Sequence, residues 1–195
     1  MNLGKLFLRL LIGGLFVGHG LQKLTGSFDG PGLDGAEKMM SSIDMKPARR
    51  NAVLAAGTET FGGAAFALGL LTPVASAGLV ATMLTAVRKV HWKNGVWNSG
   101  GGFEYNAVLI AAVTALSEDG PGTVSLDSLF GKRRWGVLGG VLALGGGIIG
   151  SLVAVELGKR ASEAAASADD ADEAEELVGQ LPADSDDVAA QGGAA

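Results

Sequence analysis

The chain contains no cysteine, which excludes disulfides, thiolate nucleophiles, iron–sulfur clusters and Cys-based zinc sites. Its two histidines are too few for a protein-only metal cage without carboxylates. No glycine-rich strand–turn–helix signature or phosphate-binding loop is present, so a nicotinamide, flavin or nucleotide fold has no sequence support. Serines can be combined with His19, His91 and an acid, yet no spacing among them supports a hydrolytic triad. With 15 basic and 20 acidic residues the net charge is −5, which argues against a general nucleic-acid binder. Basic residues are missing altogether after Arg160, whereas residues 161–195 carry ten acids; the body before them is therefore net positive, +5.

What the sequence does have is apolar length. Even with the polar tail averaged in, hydrophobic residues make up 48% of the chain and the mean hydropathy is +0.33, which excludes a disordered polypeptide. A helix needs about 20 apolar residues to cross roughly 30 Å of hydrocarbon. Residues 3–24 and 51–71 fit, the second with one acid, Glu59, near its middle. Thr72-Pro73 is read as a break, after which 74–90 runs without charge until Arg88. Residues 103–116 form a shorter apolar stretch that begins with Glu104 and suits a buried or tilted span, and 135–157 is the cleanest, with no charge before Glu156. Strands do not account for these runs, which have helical length and no alternating polarity. A cleaved signal peptide is the alternative for the first, but its apolar core is long, Arg9 interrupts it, and no small-x-small site precedes the polar loop. A soluble bundle is the alternative for the rest, and residues 137–155 lack the polar face it would require. The expectation is an all-α polytopic membrane helix bundle.

Much of the glycine, 32 residues in all, falls inside these spans, where small residues let helix backbones approach closely. Counting basic residues in the connections puts ten on one side and five on the other, which predicts an outside N-terminus and a cytoplasmic tail. This count reverses for the later loops if residues 103–116 do not cross. The first loop, 25–50, opens with turn residues, and Met39, Met40 and Ile43 suggest a short helix in the interface. Trp92, Trp97 and Trp135 are read as headgroup-level markers rather than ligand-stacking residues. The tail has too little apolar surface to fold and is read as a solvated extension, with transient helix over 162–177; a docking site for a basic partner is the sharper alternative.

Polar side chains within spans are costly and face the bundle interior, paired. Arg9, His19 and Lys23 share an arc of the first helix with Gly13 and Gly20; Glu59 is flanked by Thr58 and Thr60; Arg88 and His91 lie three apart; Glu104 and Tyr105 open the fourth span. The expectation is that Glu59 and Glu104 pair with members of the set His19, Lys23, Arg88 and His91. Such a network either fixes helix packing alone or forms a polar pocket for a small ligand or proton relay.

Leu8-Arg9-Leu10 and the run Phe16-Val17-Gly18-His19-Gly20-Leu21-Gln22-Lys23-Leu24 resemble the first helix of the DoxX family of small bacterial and archaeal membrane proteins. Gly30-Pro31-Gly32-Leu33, Glu59-Thr60-Phe61-Gly62-Gly63, and Leu68-Gly69-Leu70-Leu71-Thr72-Pro73 are similar to that family in order and spacing. So are Met83 with Ala86, His91, Phe103-Glu104-Tyr105-Asn106, Gly120-Pro121-Gly122 and Ser125-Leu126-Asp127. The resemblance implies a four-helix membrane core over residues 1–130, to which 131–160 adds a transmembrane helix with flanking basic residues and 161–195 an acidic tail. It also implies an accessory or anchor subunit of a membrane oxidoreductase system, quinone-linked or concerned with oxidative stress. Such a subunit sits in the cell membrane beside a membrane or peripheral oxidoreductase partner. No self-contained catalytic motif is present and no covalent cofactor is expected. A quinone would need an apolar slot and a donor from among His19, Lys23, His91, Glu104 and Tyr105. The competing readings are a small-solute or proton pathway through Glu59 and the histidines, or a structural assembly factor. Five spans without inverted repeats make the pathway depend on a homo-oligomer.

Overall fold

The computed structural model describes residues 3–179, and all regular structure among them is helical. The chain divides into two compact units, Met1–Ser162 and Glu163–Ala195. In the first unit, α1 (Leu3–Thr25) buries Arg9, Ile12, Gly13, Phe16 and Gly20, a stripe at the three-to-four-residue spacing of one helix face. That stripe lies along a rod built from α3 (Ala48–Gly57), a π-helical turn (Thr58–Gly62) and α4 (Gly63–Leu68). Glycine sets the separation. A Cβ on Gly13 would come 2.6 Å from the carbonyl oxygen of Gly63, and one on Gly20 would run into Thr60 Oγ1 and lie 2.6 Å from the Ala56 carbonyl oxygen. The two backbones therefore touch, which only glycine permits at these positions.

α4 ends at Gly69 (φ 64°), where Gly69 N–H donates to Phe66 and Leu70 N–H to Ala65 in a Schellman arrangement. α5 (Thr72–Ala86) starts at once, with Pro73 in its first turn, where a missing N–H costs nothing. It runs through a second π-turn (Val87–His91) into a 3₁₀ turn (Trp92–Asn94). A tight loop leads to α6 (Glu104–Asp119), then a single turn α7 (Leu126–Leu129), capped by the Ser125 hydroxyl accepting from Ser128 N–H, and finally α8 (Val137–Gly179). Phe16, Phe66, Leu79, Val80 and Val113 are central to the main core. Within this unit α8 packs on small residues as α1 does: Gly147 abuts Val80, Gly139 abuts the Ser117 carbonyl, and a Cβ on Gly150 would sit 3.1 Å from Ala81 Cβ.

Several boundaries differ from the sequence reading. The second helix begins at Ala48, directly after Pro47, and stops at Leu68, because Gly69 and Leu71 both take left-handed conformations; Thr72-Pro73 opens the next helix rather than breaking one. The first loop holds a full helix, α2 (Gly32–Ser42), whose Ala36 and Met40 pack with Met45 and Ala52 in a second core, so it is held by the chain itself. Residues 161–179, read from the sequence as a solvated extension with transient helix over 162–177, are helical and continue α8: Ala and Glu are strong helix formers, and the apolar part of α8 supplies the nucleus. The rest of the tail, 180–195, lies outside the described residues.

Two helices, Leu3–Thr25 and Val137–Leu177, are long and apolar enough to cross a membrane. Both expose large apolar side chains, among them Leu8, Leu11 and Leu15 on α1 and Leu138, Val141, Ile149 and Leu152 on α8, more than a water-facing surface ordinarily carries. The glycine seam gives a direct test. Gly20→Ala is expected to lower the Tm in detergent, at a cost at or above the about 1–3 kcal/mol typical of overpacking. Gly14→Ala, which meets nothing within 4 Å, should leave the Tm unchanged or raise it. Equal behaviour of the two variants would contradict the seam.

Candidate functional site

Of the polar residues singled out from the sequence, Lys23 and Glu59 meet. Glu59 is 4% exposed, and Lys23 Nζ donates to its Oε1 at 2.6 Å while also contacting Oε2. Lys23 comes from the last turn of α1, where a cation complements the helix dipole, and Glu59 from the π-turn that faces it across Gly20 and Thr60. π-turns often mark functional positions, and here the turn carries the one buried acid of its helix. Removing one partner from such a pair typically costs about 3–5 kcal/mol, because the other charge is left buried alone. The contact thus fixes the register of α1 on its neighbour.

His19 does not join this pair. It lies at the edge of the buried arc, is exposed, and places Nδ1 3.1 Å from Gln22 Oε1, while Gln22 Nε2 donates to the Phe28 carbonyl at 3.3 Å. Arg88 and His91 sit in the second π-turn and also find other partners: Arg88 Nη1 donates to the Ser151 carbonyl on α8 at 3.2 Å, and His91 Nδ1 donates to the Gly101 carbonyl at 2.7 Å. Glu104 pairs with none of the expected cations. Its Oε2 accepts from the Asn98 N–H at 3.0 Å, since the loop that enters α6 leaves that amide without a helical or strand partner. Trp92 and Phe103 stack across the same loop, with ring centroids 5.5 Å apart, and Tyr105 is exposed. Of the expected network only the Lys23–Glu59 pair forms, while His19, Arg88, His91 and Glu104 each have partners of their own.

The most buried charge in α1, Arg9, is used at a helix end. It is 2% exposed and donates Nε to Ala67 O at 2.9 Å, Nη2 to Val124 O at 2.6 Å, and Nη1 to Pro121 O. Ala67 is in the last turn of α4, so the guanidinium satisfies a carbonyl that the helix cannot. The complementary group was not among the polar residues expected to form the network, although the family resemblance included it. Asp127, 3% exposed, accepts Leu71 N–H on Oδ1 at 2.7 Å, and on Oδ2 Thr72 N–H at 3.0 Å, Thr72 Oγ1 at 2.7 Å and Trp135 Nε1 at 3.2 Å. Its own N–H donates to the Gly69 carbonyl at 2.8 Å. Burial pushes the Asp127 carboxyl up, but these donors together outweigh it and hold the group below the ordinary aspartate range. The available signal was Ser125 two residues earlier, a helix cap that places an acid in the first turn of α7.

Among the described residues no group of three or more His, Asp or Glu converges as metal ligands would. Ser76 Oγ and Thr114 Oγ1 are buried without a hydrogen-bond partner.

Residues 4–92, from α1 to the start of the Trp92 turn, match the DoxX family model. No curated protein and no solved structure matches the chain.

The Asp127 geometry predicts a pH dependence. The folded state binds this proton less readily than the unfolded chain, whose aspartate titrates near about 3.9. The stabilisation is therefore complete above that value and is lost as the pH falls through the lower folded one. The Tm of the protein should exceed that of Asp127→Asn at pH 7, and the gap should close below about pH 4. A gap that stays constant from pH 7 to pH 3 would contradict the assignment.

Proposed function

Since residues 4–92 match the model of the DoxX family, a family of membrane proteins, we propose that the chain is a multi-pass subunit that anchors a membrane oxidoreductase system without performing the redox chemistry itself. In this reading the helices 3–25, 48–68, 72–91, 104–119 and the apolar part of α8 cross the cell membrane, the N-terminus outside and the acidic tail in the cytoplasm. Three of these segments are shorter or interrupted by π-turns, and what supports their crossing is their packing with α1 around one apolar core, whose Val80 is met by Gly147 of α8. The ten-to-five distribution of basic residues supports the orientation.

The observation that carries the proposal is the use to which the buried charges are put. Arg9, Lys23, Glu59 and Asp127 are each bound to groups of the same chain, at helix ends or between two helices, and do not converge on one space that a substrate would enter. Such charges specify how helices meet, as an anchor requires. The redox partner and the quinone are carried by the family resemblance, and the polar residues offered to the quinone are drawn from His19, Lys23, His91, Glu104 and Tyr105. A proton or small-solute pathway is the second reading, favoured by one feature: Glu59 is buried in a π-turn while about a fifth of the Lys23 side chain stays accessible, 22%.

Affinity purification of the full chain from its native membrane in a mild detergent should recover a stoichiometric partner with a flavin or haem absorbance, and the same protein alone should show none. A chain that purifies without any redox-active partner, and whose proteoliposomes pass protons in a manner abolished by Glu59→Gln, would replace the anchor with the pathway.

A further inference from the structure

A groove of about 460 Å³ opens on the surface of the first unit, floored by Leu84 of α5 and Val87 of the second π-turn and walled by α6 and by Leu144 of α8. It extends along α6 from Phe103 to Glu118, about 22 Å at the helical rise. Between these ends its α6 wall is Ala107, Ile110, Ala111, Thr114 and Ala115, small or apolar side chains that leave a slot instead of a ridge. An acid lines one end, and a cation stands next to the lining at the other. At one, Glu118 lines the groove itself, and next to it Asp119 is engaged by Lys5 at 2.5 Å. At the other, Arg88 follows Val87 directly, is exposed, and reaches α8 with one of its five N–H donors, at Ser151 O. Lys89 and Lys93 lie on the same turns, and the Trp92–Phe103 stack is at the same level, as aromatic rings at a headgroup boundary are. The acid at this end, Glu104, is turned to the Asn98 N–H, 3.0 Å away.

We propose that this groove is a binding site for one anionic diacyl phospholipid, an acyl chain lying along α6 and the phosphate headgroup at Arg88. Charge decides both occupant and direction. The cationic end attracts a headgroup of net negative charge and the Glu118 end repels it, whereas in a zwitterionic lipid the headgroup's own cation offsets the attraction of its phosphate. An apolar slot of this length with a charged end is what a lipid tail and headgroup need, and a peptide would leave its backbone polar groups unpaired there. The inference rests on the membrane reading of α5 and α6, and the experiment separates the two.

The full chain is reconstituted into nanodiscs containing equal amounts of phosphatidylglycerol and phosphatidylcholine with matched acyl chains, released into detergent, and the retained lipids are counted by native mass spectrometry. The expected result is one phosphatidylglycerol per chain, enriched over phosphatidylcholine by about five-fold for the single arginine. Arg88→Gln should abolish most of that enrichment, and Ala111→Phe, which fills an exposed part of the slot, should lose the lipid while the Tm is kept. Equal retention of the two lipids, or enrichment that survives both substitutions, would overturn the proposal. A dimer that dissociates on Ala111→Phe and carries no lipid would overturn it in favour of a second copy in the groove. A chain that stays monodisperse without detergent or lipid would remove the membrane reading itself, and the groove assignment with it.

Discussion

The placement of two buried charges at one pair of helix ends is the constraint on which this structure depends. Between α4 and α5 the chain reverses in three residues, and that reversal leaves a helix C-terminus and a helix N-terminus side by side, with orphan carbonyls on one and orphan amides on the other. Arg9 supplies donors to the first and Asp127 acceptors to the second. Each charge also matches the sign of the dipole it meets. Leu71, at φ 45°, holds a conformation that a leucine adopts only at a cost of order 1–3 kcal/mol, and its amide is the one that donates to Asp127 Oδ1 at 2.7 Å. Gly69 leaves no room for a side chain there: a Cβ would come within 3.0 Å of Arg9 Nη1 and 2.6 Å of Ser125 Cβ. The first helix, the α4–α5 turn and the 121–127 segment are thus joined through a few atoms.

Charge and glycine act together elsewhere in the bundle. Along α1, Gly13 and Gly20 bring the backbone against α3 and α4, and Arg9 and Lys23 lie on either side of that contact with their own partners. Dispersion between touching backbones is strong but tolerant of sliding. The charged ends are not tolerant, because a one-turn shift would bury them unpaired. In apolar surroundings, where the hydrophobic effect cannot choose one helix neighbour over another, such pairs supply the specificity.

How far the sequence disclosed this follows from the range of each interaction. Helix positions were legible because apolar length and the 3.6-residue period are local properties, and Gly13, Gly20 and Glu59 were legible because a small or charged residue inside a span needs a reason. The Lys23–Glu59 pair was within the expected set. Glu104 and His91 were read as partners for charged groups but bind the backbone of the loop between them, whose path over 95–103 no periodicity encodes. Asp127 was noted only within the resemblance and given no role as a buried charge, because it stands in a polar loop; only the fold carries it to Thr72. The helical course of 161–179 was read only as transient, over 162–177, since composition argued for solvation while helix propensity and an adjoining long helix argued for order.

Amide hydrogen exchange, read by mass spectrometry on the protein in lipid nanodiscs, tests the central role of Arg9 most directly. The account predicts that in Arg9→Leu the amides of 69–72 and 121–127 exchange markedly faster than in the unsubstituted protein, while the middle of α6 keeps its protection. Unchanged protection in both segments would mean that the α4–α5 reversal stands without the guanidinium, and would contradict the account.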